Sequence, residues 1–387
     1  MSVTFEVNSR ILQWVKNQQI PADVIPILND WIGGKTTPNI STIKNFSKKT
    51  NIPFGYFFLD KPPQEEMNIA HCRTINSTKI QNASRDLIDT FNSMVAIKDW
   101  MSEYNFQNGF LELPFVGKFS EIDAIESIVA DIRQELDLNF NWFSNQKSAI
   151  DSFRFLKNKI SEIGILILQN GVVGVNNQRK LNVEEFRAFT LIDKYAPLIF
   201  INSNDSIKGK IFSLIHEIAH IWIGKENLYN APYFKADSSS TETICNAVAA
   251  EILVPSQLFL VEWKKIDDDI QKKIFQIAEI FKCSMLVVAR RAFDFKLIST
   301  ETYKLIVYQM QQNISDQKTT SDKQNSSGGN FYALLMSRWD KKIISALDAS
   351  TKTGTLQYLD AYRLTGLKGS TFHKLVKAFN DKAVKKI

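Results

Sequence analysis

The stretch IFSLIHEIAHIWIG, residues 211–224, contains His216-Glu217-Ile218-Ala219-His220, an H-E-x-x-H pattern. On an α-helix, positions i and i+4 share one face a turn apart, so both imidazoles can approach a single Zn²⁺. Glu217, between them, is placed to take a proton from water. The flanking residues Ile211, Phe212, Leu214, Ile215, Ile218, Ile221, Trp222 and Ile223 are apolar nearly all round the helix, which predicts burial, and Gly224 suits a C-terminal stop. The bland alternative is a pair of core histidines satisfied by hydrogen bonds. With only 4 His in 387 residues, chance placement at this spacing around a Glu is a poor explanation.

A catalytic zinc commonly takes three protein ligands and keeps one position open. His71 and His373 lie in remote segments, so a carboxylate is the expected third ligand. Glu242 fits best, because the loop after residue 224 is long enough to bring a second helix back beside the first. Glu226 and Glu251 are weaker alternatives. Asn246, one turn after Glu242, is placed to hydrogen-bond a ligand from behind. For an oxyanion-stabilising donor the only guesses are Tyr229 and Tyr233, in the loop between the two helices.

Outward from this centre, residues 164–202 carry short β-like runs. ILILQNGVVGV reads as two runs about a turn at Asn170-Gly171, followed by FRAFTLID and PLIFIN, with Pro197 opening the last. Asp205 or Ser206 can cap the H-E-x-x-H helix. The expected fold class is α+β and mostly helical: a small mixed β-sheet packed on that helix, with flanking helical domains. The sheet edge is where an extended peptide would be held by strand addition.

The remaining segments are helical by their apolar spacing. Residues 1–66 hold three short helices and an aromatic-rich run closed by Pro62-Pro63, with Ser41 or Thr42 near the cap of the third helix. Residues 67–160 form a helical scaffold region, and 161–257 the metallopeptidase core. Residues 258–310 contain QKKIFQIAEIFKCSMLVVARRAFDFKLIS, a helix-turn-helix-like extension with Arg290 and Arg291 on its later helix. The reading of the same pair as helices completing the core is the favoured one over DNA contact. Residues 311–330 are nearly free of apolar side chains and read as a flexible linker. A helical module, 331–387, ends the chain.

Composition bounds the function. Hydrophobic content of 44% and charged content of 23% are ordinary for a globular protein, and no apolar run reaches membrane-spanning length. The start MSVTFEVNSR shows no signal-peptide pattern, which predicts a cytoplasmic location with no membrane partner. Cys72, Cys245 and Cys283 are isolated and form no CxxC pair. The net charge of +6 is uneven: residues 330–387 hold 11 Lys and Arg against 4 Asp and Glu, leaving the remainder near neutral. Lys341 and Lys342 in this tail, with Arg290 and Arg291, are the candidate nucleic-acid contacts.

The combination of RKLNVEEFRAFTLIDKYAPLIFIN (179–202), FSLIHEIAHIW (212–222) and ETICNAVAAEILVP (242–255) resembles the ImmA/IrrE family of zinc metallo-endopeptidases, with a gluzincin-like ligand arrangement. The resemblance is concentrated in residues 160–257. Residues 31–63 resemble the N-terminal XRE-type helix-turn-helix found in many such proteins, in degenerate form. The interval between Trp14 and Trp31 is short for a full pair of DNA-reading helices, and residues 1–66 carry 7 Lys and Arg against 6 Asp and Glu. Arg73-Thr74 in AHCRTI, GGNFY (328–332) and DAYRLTGLKGSTF (360–372) also look like the family. The resemblance implies a zinc-dependent endopeptidase acting on a repressor or other regulatory protein. Its alternative is an XRE-type regulator or antitoxin that binds a toxin, such as a PIN-domain nuclease, or DNA, with the peptidase fold as a binding module.

Overall fold

The computed structural model describes residues 4–18, 20–63, 83–225, 227–229, 240–321 and 331–384. The chain divides into two compact units, Met1–Asn92 and Ser93–Ile387. His71, Cys72, Arg73 and Thr74 lie outside the described residues.

In the first unit, α1 (Ser9–Lys16), α2 (Ile25–Ile32) and α3 (Ile40–Thr50) close around Ile11, Val15, Leu28, Ile43 and Phe57. The cap of α3 is Asn39, whose side chain accepts from the Thr42 amide at 2.8 Å, rather than Ser41 or Thr42. Asn39 is the last residue with extended backbone before the helix and can reach back over the first turn; the later hydroxyls are already helical. Residues 33–39 separate α2 from α3, a longer connection than the roughly 3–4 residues of a tight helix-turn-helix.

A long helix, α4 (Arg85–Gln107), comes before the elements of the second unit. There α5 (Ile125–Glu135) and α6 (Ala149–Glu162) precede the strands β1 (Leu166–Asn170), β2 (Val172–Val173), β3 (Asn176–Lys180), β4 (Ala188–Leu191) and β5 (Leu198–Asn202). After β5 come the H-E-x-x-H helix α7 (Ile207–Ile223), β6 (Asn227–Tyr229) and α8 (Ser240–Leu253). The sheet order is β1-β5-β4-β6, parallel between β1 and β5 and antiparallel elsewhere. The fold is therefore α+β and mostly helical, with a small mixed sheet against α7, as the sequence predicts.

Two details differ from the sequence reading. The chain does turn after β1, but β2 pairs with the polar strand β3 and not with β1. Every described side chain of β3 points to solvent or is half-buried, so no apolar alternation announces it. The sheet edge beyond β4 is formed by β6, a strand the sequence reading did not assign.

Local chemistry sets α7 in place. Ser206 Oγ accepts from the Gly209 amide at 3.0 Å and caps the helix. Arg187 Nη1 donates to both Asp205 carboxylate oxygens, at 2.7 and 2.8 Å, and ties the approach to β4 to that cap. From Ile211 to Ile223 every residue of α7 is buried. At the other end Gly224 adopts φ 73° and returns its amide to His220 O at 2.9 Å. The segment around Phe115 hooks onto this end: Gly117 and Phe119 amides bond Ile221 O and Trp222 O at 2.9 and 3.0 Å. Phe115 stacks on Trp222 with ring centroids 4.4 Å apart. A Cβ on Gly224 would meet Gly117 Cα at 2.9 Å. Gly224→Ala should therefore lower stability by about 1–2 kcal/mol from the left-handed backbone alone, more with the clash. Urea titration measures this, and an unchanged midpoint would show that the two backbones are not in contact.

Helices α9 (Ser256–Lys265), α10 (Ile270–Ile280) and α11 (Met285–Asp294) share one hydrophobic core with α5 to α8 through Phe259, Ile274, Ile277, Val288 and Ala292. Helix α12 (Thr300–Ser321) runs on into the segment read from composition as a linker. That stretch is polar but has no Gly or Pro before Gly328, and Gln, Lys, Asp and Ser tolerate a helix once it is nucleated. Beyond the undescribed 322–330, α13 (Phe331–Arg338), α14 (Lys341–Thr353), α15 (Tyr358–Thr365) and α16 (Gly369–Val384) enclose Leu335, Ile344, Leu347, Phe372 and Leu375. Asp340 caps α14 and also accepts from the Ile167 amide of β1 at 3.2 Å, fastening this module to the sheet edge. Among the described residues no single helix is long and apolar enough to cross a membrane; α8 and α9 pass such a test only as a bent pair, and both contribute to the core.

Candidate metal centre

His216 and His220 sit one turn apart on α7, and Glu242 stands in the first turn of α8. The two Nε2 atoms are 3.1 Å apart. Glu242 Oε2 lies 3.3 Å from His216 Nε2, and Oε1 lies 3.3 Å from His220 Nε2. Both imidazoles are fully buried and Glu242 is nearly so. Burial alone would push the Glu242 carboxyl up, but hydrogen bonds and charge from the two histidines outweigh it and hold it well below the usual carboxylate range. Two imidazole nitrogens and both oxygens of an ionised carboxylate thus converge on one point, which is a site able to hold a metal ion. The third ligand is Glu242 in this arrangement. Glu251 instead accepts from Ser256 N and Oγ at 3.0 and 2.6 Å and pairs with Arg291; Glu226 lies outside the described residues.

Glu217 is buried beside these ligands. Desolvation raises its pKa to about 8, against the opposing influence of His220 and the Thr190 hydroxyl. Thr190 Oγ1, on β4, donates to Glu217 Oε2, while Oε1 has no hydrogen-bond partner among the described residues. One carboxylate oxygen is held and the other left available, which suits a group that takes up and releases a proton. Thr190 was not singled out from sequence; its signal was a lone hydroxyl in a strand whose four residues are all buried. Thr190→Val keeps the shape and removes the bond. Turnover should fall about 10–100-fold, the usual range for such supporting contacts, with metal content unchanged. Loss of metal instead would show that Thr190 supports the ligands and not Glu217.

Behind the ligands, Glu121 accepts from Lys225 Nζ at 2.6 Å, from Ser240 Oγ at 2.8 Å and from Thr241 Oγ1. It thereby ties the end of α7 to the start of α8, one residue before Glu242. Arg133 and Trp142 donate to Ile252 O at 3.0 and 3.2 Å and fix the far end of α8. These pairs join residues about a hundred positions apart, beyond the reach of any local spacing rule. Asn246 follows Glu242 on α8, and its Oδ1 is buried without a hydrogen-bond partner among the described residues. Burial and the Glu242 charge push the Cys245 thiol well above its ordinary pKa, so it packs as an inert thiol. Tyr233 lies outside the described residues, and Tyr229 is placed by its backbone in β6.

The candidate nucleic-acid residues are dispersed. Arg291 is turned inward, to Glu251 and to Val254 O at 2.9 Å, and Arg290 Nε bonds Asp294 at 2.9 Å. Lys342 Nζ reaches Glu162 O at 3.3 Å, while Lys341 is exposed.

Residues 164–293 match the family model for peptidase M78, described as the IrrE N-terminal-like domain. This segment is similar to the IrrE N-terminal-like domain. It contains His216, Glu217, His220 and Glu242 and most of the sheet-and-helix core, and it extends past Pro255 through α10 into α11. The matched segment thus includes most of the helix pair that also read as a helix-turn-helix extension. Residues 339–378 match a domain of unknown function. No curated protein matches the chain. No solved structure matches it.

Proposed function

We propose that this protein is a zinc-dependent endopeptidase acting on a regulatory protein, such as a repressor or a toxin partner. The observation that carries the reading is the spacing of the donors. Ligands about 2.0–2.1 Å from a tetrahedral zinc stand roughly 3.3 Å from one another; here the two Nε2 atoms are 3.1 Å apart, and each lies 3.3 Å from a different oxygen of Glu242, so the two imidazoles and the carboxylate close on one point. A His, His, carboxylate set also belongs to catalytic zinc sites that keep a position for substrate.

A zinc ion at this place supplies Lewis acidity, which acidifies water and polarises a scissile carbonyl. The chain's own residues supply the rest. His216 and His220 present ring nitrogens from a helix fixed at both ends. Glu242 brings a negative charge that offsets the cation in a dry site. Glu217 accepts the water's proton at Oε1 and delivers it to the departing amine, while Thr190 holds its other oxygen. A purely structural site has no use for a buried, proton-accepting carboxylate beside its ligands, and this favours turnover.

The test is to incubate the zinc-loaded protein with an extract of its host and to sequence newly formed protein N-termini. A small set of new N-termini is expected, absent with Glu217→Gln and after chelation. An identical set with the Gln variant would reject proteolysis by this centre.

A further inference from the structure

The geometry points to a second binding site, independent of the peptidase reading: we propose that α15 and α16 form a helix-turn-helix whose second helix enters the major groove of duplex DNA. Helix α15 ends at Thr365. Gly366 turns the chain at φ 64°, and α16 starts at Gly369, so the two helices are joined by Gly366-Leu367-Lys368 alone. A turn of three or four residues, often containing glycine, joins the two helices of this motif. The turn is locked from inside. Thr365 Oγ1 donates to Ala361 O at 2.8 Å and accepts from the Leu367 amide at 3.4 Å. A Cβ on Gly369 would stand 2.9 Å from the Tyr362 hydroxyl, so α16 begins in close contact with α15. Ala361, Leu367, Phe372 and Leu375 are buried on the inner side, where α14 completes a three-helix arrangement.

The outer side of α16 then presents one kind of surface. Lys368, Ser370, His373, Lys374 and Lys377 are exposed and lie at the turn and along the first turns of the helix. Residues 366–378 contain three lysines and no acidic residue. Among the described residues none of these lysines makes an ion pair; Lys374 lies 5.7 Å from the Tyr332 ring, and His373 Nε2 is 3.2 Å from the Tyr362 hydroxyl. In a DNA-reading helix-turn-helix the N-terminal part of the second helix meets base edges, and flanking cations meet phosphates. Ser370, His373 and Lys374 occupy the first position; Lys368 and Lys377 flank it. The contrast with the earlier candidates favours duplex DNA as the occupant. Arg291 and Lys342 are spent on contacts within the fold, whereas α16 offers a cationic face of helical shape to a polyanion whose groove admits a helix.

The full-length chain and a Lys368→Ala/Lys377→Ala variant are compared by fluorescence anisotropy on a random-sequence DNA duplex, across about 50–200 mM salt. Wild type should bind with steep salt dependence. The double variant should bind at least tenfold more weakly, with the slope of log K against log salt reduced by about 1.8, two phosphate contacts at about 0.9 each. Both lysines are exposed, so its melting temperature should not move. Lys352→Ala, which removes an exposed cation from α14 that is paired with Asp348, should leave the slope unchanged. Equal binding by wild type and the double variant, an equal loss in Lys352→Ala, or tighter binding to single-stranded RNA than to the duplex would each overturn the proposal.

Discussion

Replacing His216 or Glu242 by alanine is expected to strip the metal from the purified protein. Each change removes one of three converging donors from a site where the remaining two are buried. Changes one layer further out usually cost about 10–100-fold in metal affinity, so loss of a direct ligand should exceed about 100-fold and leave no zinc through size-exclusion chromatography in dilute chelator. The two variants should differ in stability without metal. Glu242→Ala leaves two buried imidazoles 3.1 Å apart with no anion between them, whereas His216→Ala leaves Glu242 one histidine partner. Elemental analysis decides the first point and thermal melting the second. Full zinc occupancy in both variants would remove the basis for the centre.

Glu217→Gln should give the opposite pattern: zinc retained and cleavage abolished. The amide keeps the shape and can still meet Thr190, but it cannot accept a proton. A pH-dependent stability effect should accompany it. In the metal-free fold burial raises the Glu217 pKa from the ordinary 4.5 to about 8, so the folded state binds more protons than the unfolded state between those values. Stability contributed by the protonated form is complete below about 4.5 and declines as pH rises towards 8. Gln carries no such dependence. Metal-free Glu217→Gln should therefore melt at or above the wild type at neutral pH, with the gap widening as pH rises from about 5 to 8. A gap that narrows over that range would show that Glu217 is ionised in the metal-free fold.

The fold class and the grouping of His216, His220 and Glu242 were legible for a common reason: both depend on short-range spacing. Two histidines at i and i+4 in a chain with four in all, an apolar surround, and a carboxylate at the start of the next helix are patterns within about thirty residues. Thr190, Glu121 and Arg133 were not legible, because their partners lie 27, 120 and 119 residues away and are set by strand register and helix packing. The β3 strand escaped because it is polar throughout. The extent of α12 escaped because composition separates apolar from polar segments better than helix from coil. The tail showed its charge but not its use: only the turn at Gly366 and the buried row from Ala361 to Leu375 distinguish a cationic recognition face from a generally basic module.

The account rests on one ion held by two imidazoles and one carboxylate. X-ray absorption at the zinc edge, on the full-length protein loaded with one equivalent of zinc, tests it most directly. The predicted spectrum has two imidazole nitrogens with the remaining ligands oxygen, at about 2.0–2.1 Å, and loses one imidazole in His220→Ala. Sulfur in the coordination shell, or a spectrum unchanged in His220→Ala, would contradict it.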